Sequence, residues 1–175
     1  MFTPDTIEKR DVSAGVNNYS KFDDNKLGDD FAQNFDVKNE PFILSENHPL
    51  HRYIDELMSN IAAVSDDHSW FRPKVRVINA DVLNAFAVPG GHIYVFTGLI
   101  KAAKSESQLA GVLGHELGHV IARHSTKGMT HLQKDLMKWV GLTELASLLT
   151  SNTKTEIDDI VVQLAGTFKI DGSYH

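Results

Sequence analysis

Cysteine is absent from all 175 residues. That excludes disulfides and thiolate metal ligands, so a metal bound here must be held by histidine and carboxylate. It leaves the compartment open, because reducing and oxidising environments both accept such a chain. Basic excess is lacking too. The net charge is −6 and no run of Lys or Arg occurs, which argues against nucleic acid and against an anionic membrane surface as partners. No apolar run reaches transmembrane length. The opening Met1-Phe2-Thr3-Pro4-Asp5 lacks the basic-then-apolar order of a signal peptide. The expected location is the cytoplasm, or the cell envelope or periplasm with a signal outside this sequence.

What is present suits one folded domain. The hydrophobic fraction is 42% and the charged fraction 23%, as in ordinary globular chains. The length allows one core and not two. Residues 1–25 are polar and rich in Asn and Asp, and read as an arm with little structure. Residues 26–175 read as the domain. Leu27, Phe31 and Phe35 suggest a short helix over 26–35. Leu50, Tyr53, Ile54, Leu57, Met58 and Ile61 fall on one face of a stronger one, with Pro49 at its first position. Lys74–Ile78 alternates as a strand. Two further apolar segments, Val82–Val88 and His92–Phe96, flank Pro89-Gly90-Gly91 and predict a β-hairpin. A short helix is expected over Thr97–Lys104.

Ser105 and Gln108 have capping-box spacing for a central helix running to about Arg123. Gly111, Gly114 and Gly118 lie inside it, each at a cost of about 1 kcal/mol relative to Ala. They predict either a close neighbour or a glycine-tolerant buried helix. Later stripes are Leu132, Leu136, Trp139 and Val140, then Leu145, Leu148 and Leu149, then Ile157 to Phe168 with Thr155 as cap. Helices, a small sheet, then helices make an α+β domain.

Within the central helix lies His115-Glu116-Leu117-Gly118-His119. Positions i and i+4 share a helix face about 6 Å apart along the axis. Two imidazoles placed so can converge on one zinc ion. Glu116 is then placed to act as general base: it takes a proton from a metal-activated water that attacks a peptide carbonyl, and returns it to the leaving amine. The bland alternative is a chance match, two surface histidines with a Glu between them. The upstream cap, the small and apolar flanking residues and the adjacent hairpin weigh against it. His124 lies about 140° around a continued helix from His119 and reads as a helix-end histidine. His48, His51, His68, His131 and His175 read as surface histidines, and His92 as a weak site candidate after the turn.

Asn84-Ala85-Phe86-Ala87-Val88-Pro89-Gly90-Gly91-His92-Ile93-Tyr94-Val95, then Gly98-Leu99-Ile100, then Gly114-His115-Glu116-Leu117-Gly118-His119-Val120-Ile121-Ala122-Arg123-His124-Ser125, together resemble metallopeptidase family forty-eight. This group contains the HtpX-like and the Ste- and Oma-type proteases. The resemblance implies a zincin-like domain and zinc-dependent endopeptidase activity on peptides or unfolded proteins, in protein quality control. It implies one zinc ion per chain, bound by His115, His119 and a Glu from a later helix. Asn84, Ala85, Phe86 and Ala87 would form the rim to which substrate adds as a strand. The family's Glu-x-x-x-Ala-Asp segment is missing after His119. The chain is therefore expected to be part of a longer protein, with Glu144 or Glu156 as the alternative third ligand. Two other classes compete with the peptidase. One is a catalytically inactive protein-binding or chaperone module, the other a structural zinc site. An intact Glu116 argues against both.

Overall fold

The structure is a computed structural model and describes residues 15–65 and 68–131. The predicted stripes from Leu132 to Phe168, the Thr155 cap and both Glu144 and Glu156 lie outside the described residues.

Helix α1 (Lys21–Asn39) begins where Ser20 and Asp23 cap each other. Asp23 donates its N–H to Ser20 Oγ at 3.1 Å and its carboxylate accepts the Ser20 N–H at 2.7 Å, which satisfies two donors that a helix start leaves open. The expectation of an unstructured arm to residue 25 is thus corrected. The helix starts five residues before Lys26 and runs four past Phe35, and Asp24 is buried. Helix α2 (Pro49–Ala63) has Pro49 at its start as expected, and His48 Nδ1 accepts the Leu50 N–H at 3.2 Å.

Strands β1 (Lys74–Ile78), β2 (Ala85–Val88) and β3 (His92–Phe96) form a sheet in the order β1-β3-β2. The β2–β3 hairpin is antiparallel, with Phe86 opposite Tyr94, and β1 pairs β3 in parallel, with Arg76 opposite Tyr94. The turn uses Gly90 and Gly91 at φ of 74° and 88°, values that L side chains rarely adopt. Helix α1 presses on this turn through Gly28, where a Cβ would lie 1.8 Å from the Pro89 carbonyl oxygen.

Each face of the sheet carries its own core. Alternation sends Val75, Val77, Ile93 and Val95 to one side, against Ile54 and Met58 of α2. Helix α4 (Glu106–Ile121) joins them through Leu109, Leu113 and Leu117. Tyr94, Phe86 and Val88 project to the other side, where Phe31 and Phe35 of α1 cover them. Phe35 and Tyr94 meet edge-on at 4.8 Å and Phe86 stacks on Tyr94 at 4.8 Å. Such pairs are worth about 0.5–1.5 kcal/mol each beyond burial. Tyr94 also donates its hydroxyl to Asp36 at 2.9 Å. The expected α+β class is what the structure shows, and its zincin-like arrangement puts α4 and β2 side by side.

Two other expectations change in detail. The short helix α3 spans Thr97–Ala102, ending before Lys104. His51 and His92 are buried rather than on the surface: His51 Nε2 bonds the Val75 carbonyl at 3.2 Å, and His92 Nε2 bonds Asp29 at 2.8 Å. His92 thereby serves the fold and stands apart from the central helix motif.

Candidate metal centre

Helix α4 is oriented by its apolar face. Leu109, Leu113, Leu117, Val120 and Ile121 are buried in the core, so the opposite side, with His115 and Gly118, meets an open cleft. The start is fixed by Ser105 Oγ, which accepts the Gln108 N–H at 3.2 Å. The Gln108 side chain reaches back one residue further than expected, accepting the Lys104 N–H at 2.8 Å. No atom among the described residues approaches a Cβ built at Gly111 or Gly118, and one at Gly114 would meet only Ile61, at 3.7 Å. A close neighbour is therefore not what these glycines accommodate among the described residues. Gly114 and Gly118 instead line the cleft with His115, His119, Ile61 and Val64, around a volume of about 510 Å³.

His115 Nε2 and His119 Nε2 stand 2.9 Å apart. Two nitrogens bound at about 2.0–2.1 Å to one tetrahedral ion are separated by about 3.3 Å, so a slight opening of these rings fits them to zinc. Burial lowers the pKa of His119, and its neighbours His115 and His124 lower it further. These shifts favour the neutral ring, the form that ligates metal. Among the described residues no group of three or more His, Cys, Asp or Glu side chains is placed to hold one metal ion.

Glu116 follows His115 by about 100° of helix rotation and points toward β2. It is 6% exposed, and its carboxylate lies near the backbone N–H of Ala87. Burial pushes its pKa up to about 7, partly offset by the Ala87 N–H. A carboxyl group poised near the working pH suits general-base chemistry.

The Ala87 contact follows from strand register. Asn84 accepts the Phe96 N–H across the hairpin at 3.1 Å. Antiparallel pairing alternates, so Phe86 and Val88 also turn their polar groups to β3, and Ala85 and Ala87 turn theirs to the edge that pairs with no other strand among the described residues. Of the four predicted rim residues, Ala85 and Ala87 turn their backbone polar groups away from β3, but Ala85 is 1% exposed and so covered, which leaves the half-buried Ala87 as the accessible one. Asn84 and Phe86 turn theirs toward β3, and the Phe86 ring is committed to the aromatic core. Beside this rim, Val82 and Leu83 are exposed at 46% and 66%.

His124 is the residue that pattern reading placed wrongly. Helix α4 stops at Ile121, Arg123 adopts φ 57°, and residues 124–131 are helical again. That turn brings His124 Nδ1 to 2.7 Å from His119 Nδ1. Arg123 donates to both oxygens of Asp24, at 2.6 and 2.9 Å, and to the Tyr19 carbonyl at 2.6 Å. A non-glycine residue in this conformation leaves no local sequence signal, and its partner is 99 positions away.

Part of this chain is similar to known proteins. A mitochondrial metalloendopeptidase OMA1 of Arabidopsis thaliana is 48% identical over 62 residues, covering 35% of this chain and 12% of that protein. The protein of the same name from Schizosaccharomyces pombe is 39% identical over 87 residues, or 49% of this chain and 25% of that one. A beta-barrel assembly-enhancing protease of Escherichia coli is 35% identical over 92 residues, or 52% of this chain and 19% of that one. The chain thus spans a quarter or less of these relatives' lengths. Residues 44–170 match the sequence profile described as Peptidase family M48. With that match spanning most of its length and enclosing the His115-Glu116-x-x-His119 helix, the chain belongs to peptidase family M48.

Proposed function

We propose that this chain supplies the metal-binding part of a zinc-dependent metalloendopeptidase that cuts peptides or unfolded proteins. The observation that carries the reading is the convergence of His115 Nε2 and His119 Nε2 beside a buried Glu116 that lies next to the edge strand at Ala87. His115 and His119 would hold one zinc ion. A third ligand, a Glu outside the described residues, would complete the set. When bound, zinc supplies Lewis acidity toward a water and a peptide carbonyl. Glu116 accepts the proton of the attacking water at a carboxylate oxygen and passes it to the leaving amine. The nearby Ala87 N–H favours the ionised form of that carboxylate. The outward polar groups of the half-buried Ala87 offer substrate backbone a place to pair, and the cleft wall of Ile61 and Val64 offers apolar contact.

A single domain that includes α1 accommodates these parts. Among the described residues no helix is long and apolar enough to cross a membrane. A cell-envelope role in protein quality control is proposed from relatives whose names include mitochondrial and β-barrel assembly-enhancing proteases.

The test is zinc content with chelator-sensitive cleavage of an unfolded protein. One zinc per chain is expected, lost on His115→Ala or His119→Ala. Zinc content indifferent to both substitutions would sink the assignment. Binding of unfolded protein without cleavage, in zinc-loaded protein carrying its full ligand set, would favour the inactive protein-binding or chaperone module.

A further inference from the structure

We infer that His124 is a positioning residue for the metal ligand His119, and that the Asp24–Arg123 ion pair holds it there. The inference rests on the proposed reading that His119 binds metal through Nε2. In a neutral imidazole, a metal on Nε2 requires the ring proton on Nδ1. In this chain His119 Nδ1 faces His124 Nδ1 at 2.7 Å, so His124 is placed to accept that proton. The two rings meet at 4.8 Å between centroids and 70° between planes. His124 sits on the side of His119 opposite His115, which faces Nε2. It is therefore placed as a second-layer partner rather than as another ligand to the same ion.

The backbone delivers His124 at a cost. Continued helix would carry it about 140° away from His119. The turn at Arg123, with φ 57°, brings it back, and such a conformation costs a non-glycine residue about 1–2 kcal/mol. The Arg123 guanidinium offsets this through its two-oxygen contact with Asp24 and its bond to the Tyr19 carbonyl. Trp70 lies against the same group, with its ring centroid 5.9 Å away. The side chains of Arg123 and Asp24 are 9% and 2% exposed. The segment before α1 also grips the helical residues beyond the turn. Asn17 donates to Thr126 Oγ1 and the Asn18 N–H to Thr130 Oγ1, each at 2.9 Å. Tyr19 and Asp24 precede residue 44, where the family match begins. Part of the metal site's support therefore lies outside the region that defines the family.

The experiment is competition for zinc between the full 175-residue chain and a chromophoric chelator. It is read alongside the nitrogen-15 signals of labelled histidines. His124 is exposed, so substitutions there should leave the fold intact by circular dichroism. His124→Leu, which removes the acceptor, is expected to weaken zinc binding about 10–100-fold, the usual loss for such a partner. His124→Asn, whose amide oxygen stands near the position of Nδ1, should restore affinity to within a few-fold. His119 in the zinc-loaded parent should carry its proton on Nδ1. Equal affinity for parent, Leu and Asn chains, or a His119 proton on Nε2, overturns the inference. No zinc uptake by the parent, or uptake indifferent to His119→Ala, overturns the underlying metal site instead and the inference with it.

Discussion

Ala87 on the edge strand and Glu116 on the metal helix are neighbours, with the Ala87 N–H near enough to the Glu116 carboxylate to favour its ionised form. The candidate base thus lies beside the strand that would receive substrate. Helix α4 and β2 are in contact, and Ala87 packs against the core that holds Leu113 and Leu117, so the core places the helix that carries the carboxylate beside the strand. Preorganisation of this kind spares the reaction the cost of arranging the base at each turnover.

Glu116→Gln should therefore leave structure and zinc content unchanged. The amide keeps the side chain's shape and can still hydrogen-bond a water, but it cannot take a proton from it. Zinc-dependent cleavage, measured in protein carrying its full ligand set, should fall about 10²–10⁴-fold. Full turnover would mean that another group is the base.

Glu116 also predicts a pH dependence in the metal-free chain. Its pKa rises from 4.5 to about 7 on folding, chiefly through burial. The folded state then binds more protons than the unfolded state between these values, so the contribution is complete below about pH 4.5 and is lost as pH rises through 7. At about 1.4 kcal/mol per tenfold change in proton affinity, the loss is on the order of 3 kcal/mol. Urea denaturation at pH 5 and pH 8 should show it relative to Glu116→Gln, which stays neutral. Zinc should shrink the difference, because a nearby cation favours the carboxylate. Parallel pH profiles for the two chains would show that Glu116 ionises as freely as in water.

The features that sequence patterning found are local ones. His115 and His119 are one helical turn apart, Ser105 caps the same helix, and the turn glycines mark the hairpin. Each signal lies within a few residues of what it specifies. The missed features depend on partners far along the chain. The parallel union of β1 with β3 leaves no mark in either strand, and the return of His124 depends on Asp24. The early start of α1 was legible in the Ser20-x-x-Asp23 box, but polar composition hid it. Phe86 looked like a rim residue because alternation alone does not say which face of a strand meets α1.

Gly28 and Gly111 should respond oppositely to alanine. In an exposed helix interior, Gly→Ala stabilises by about 1 kcal/mol, and Gly111 has no atom within 4 Å of a Cβ among the described residues. At Gly28 the same Cβ would sit 1.8 Å from the Pro89 carbonyl oxygen. Backbone must move, and overpacking of this kind costs about 1–3 kcal/mol or more. Gly111→Ala should raise the melting temperature and Gly28→Ala should lower it. A stabilising Gly28→Ala would show that α1 does not press on the Pro89–Gly91 turn.

The Asp24–Arg123 pair predicts a rescue that ordinary packing would not give. Asp24→Ala leaves a nearly buried guanidinium without its carboxylate, at a cost of about 3–5 kcal/mol for a broken buried pair. It also removes the restraint on the left-handed turn, so zinc affinity should fall together with stability. Adding Arg123→Gly removes the orphaned charge, and glycine adopts a φ near 57° without the penalty that a side chain meets there. The double variant Asp24→Ala/Arg123→Gly should therefore be more stable than Asp24→Ala alone. It should also regain zinc affinity, because the turn that carries His124 back to His119 is again accessible. Stability and affinity are read separately, by urea denaturation and by chelator competition. If the double variant regains stability while zinc affinity stays at the Asp24→Ala level, the ion pair serves the fold alone. If Asp24→Ala leaves zinc affinity untouched, the metal site does not depend on the N-terminal segment.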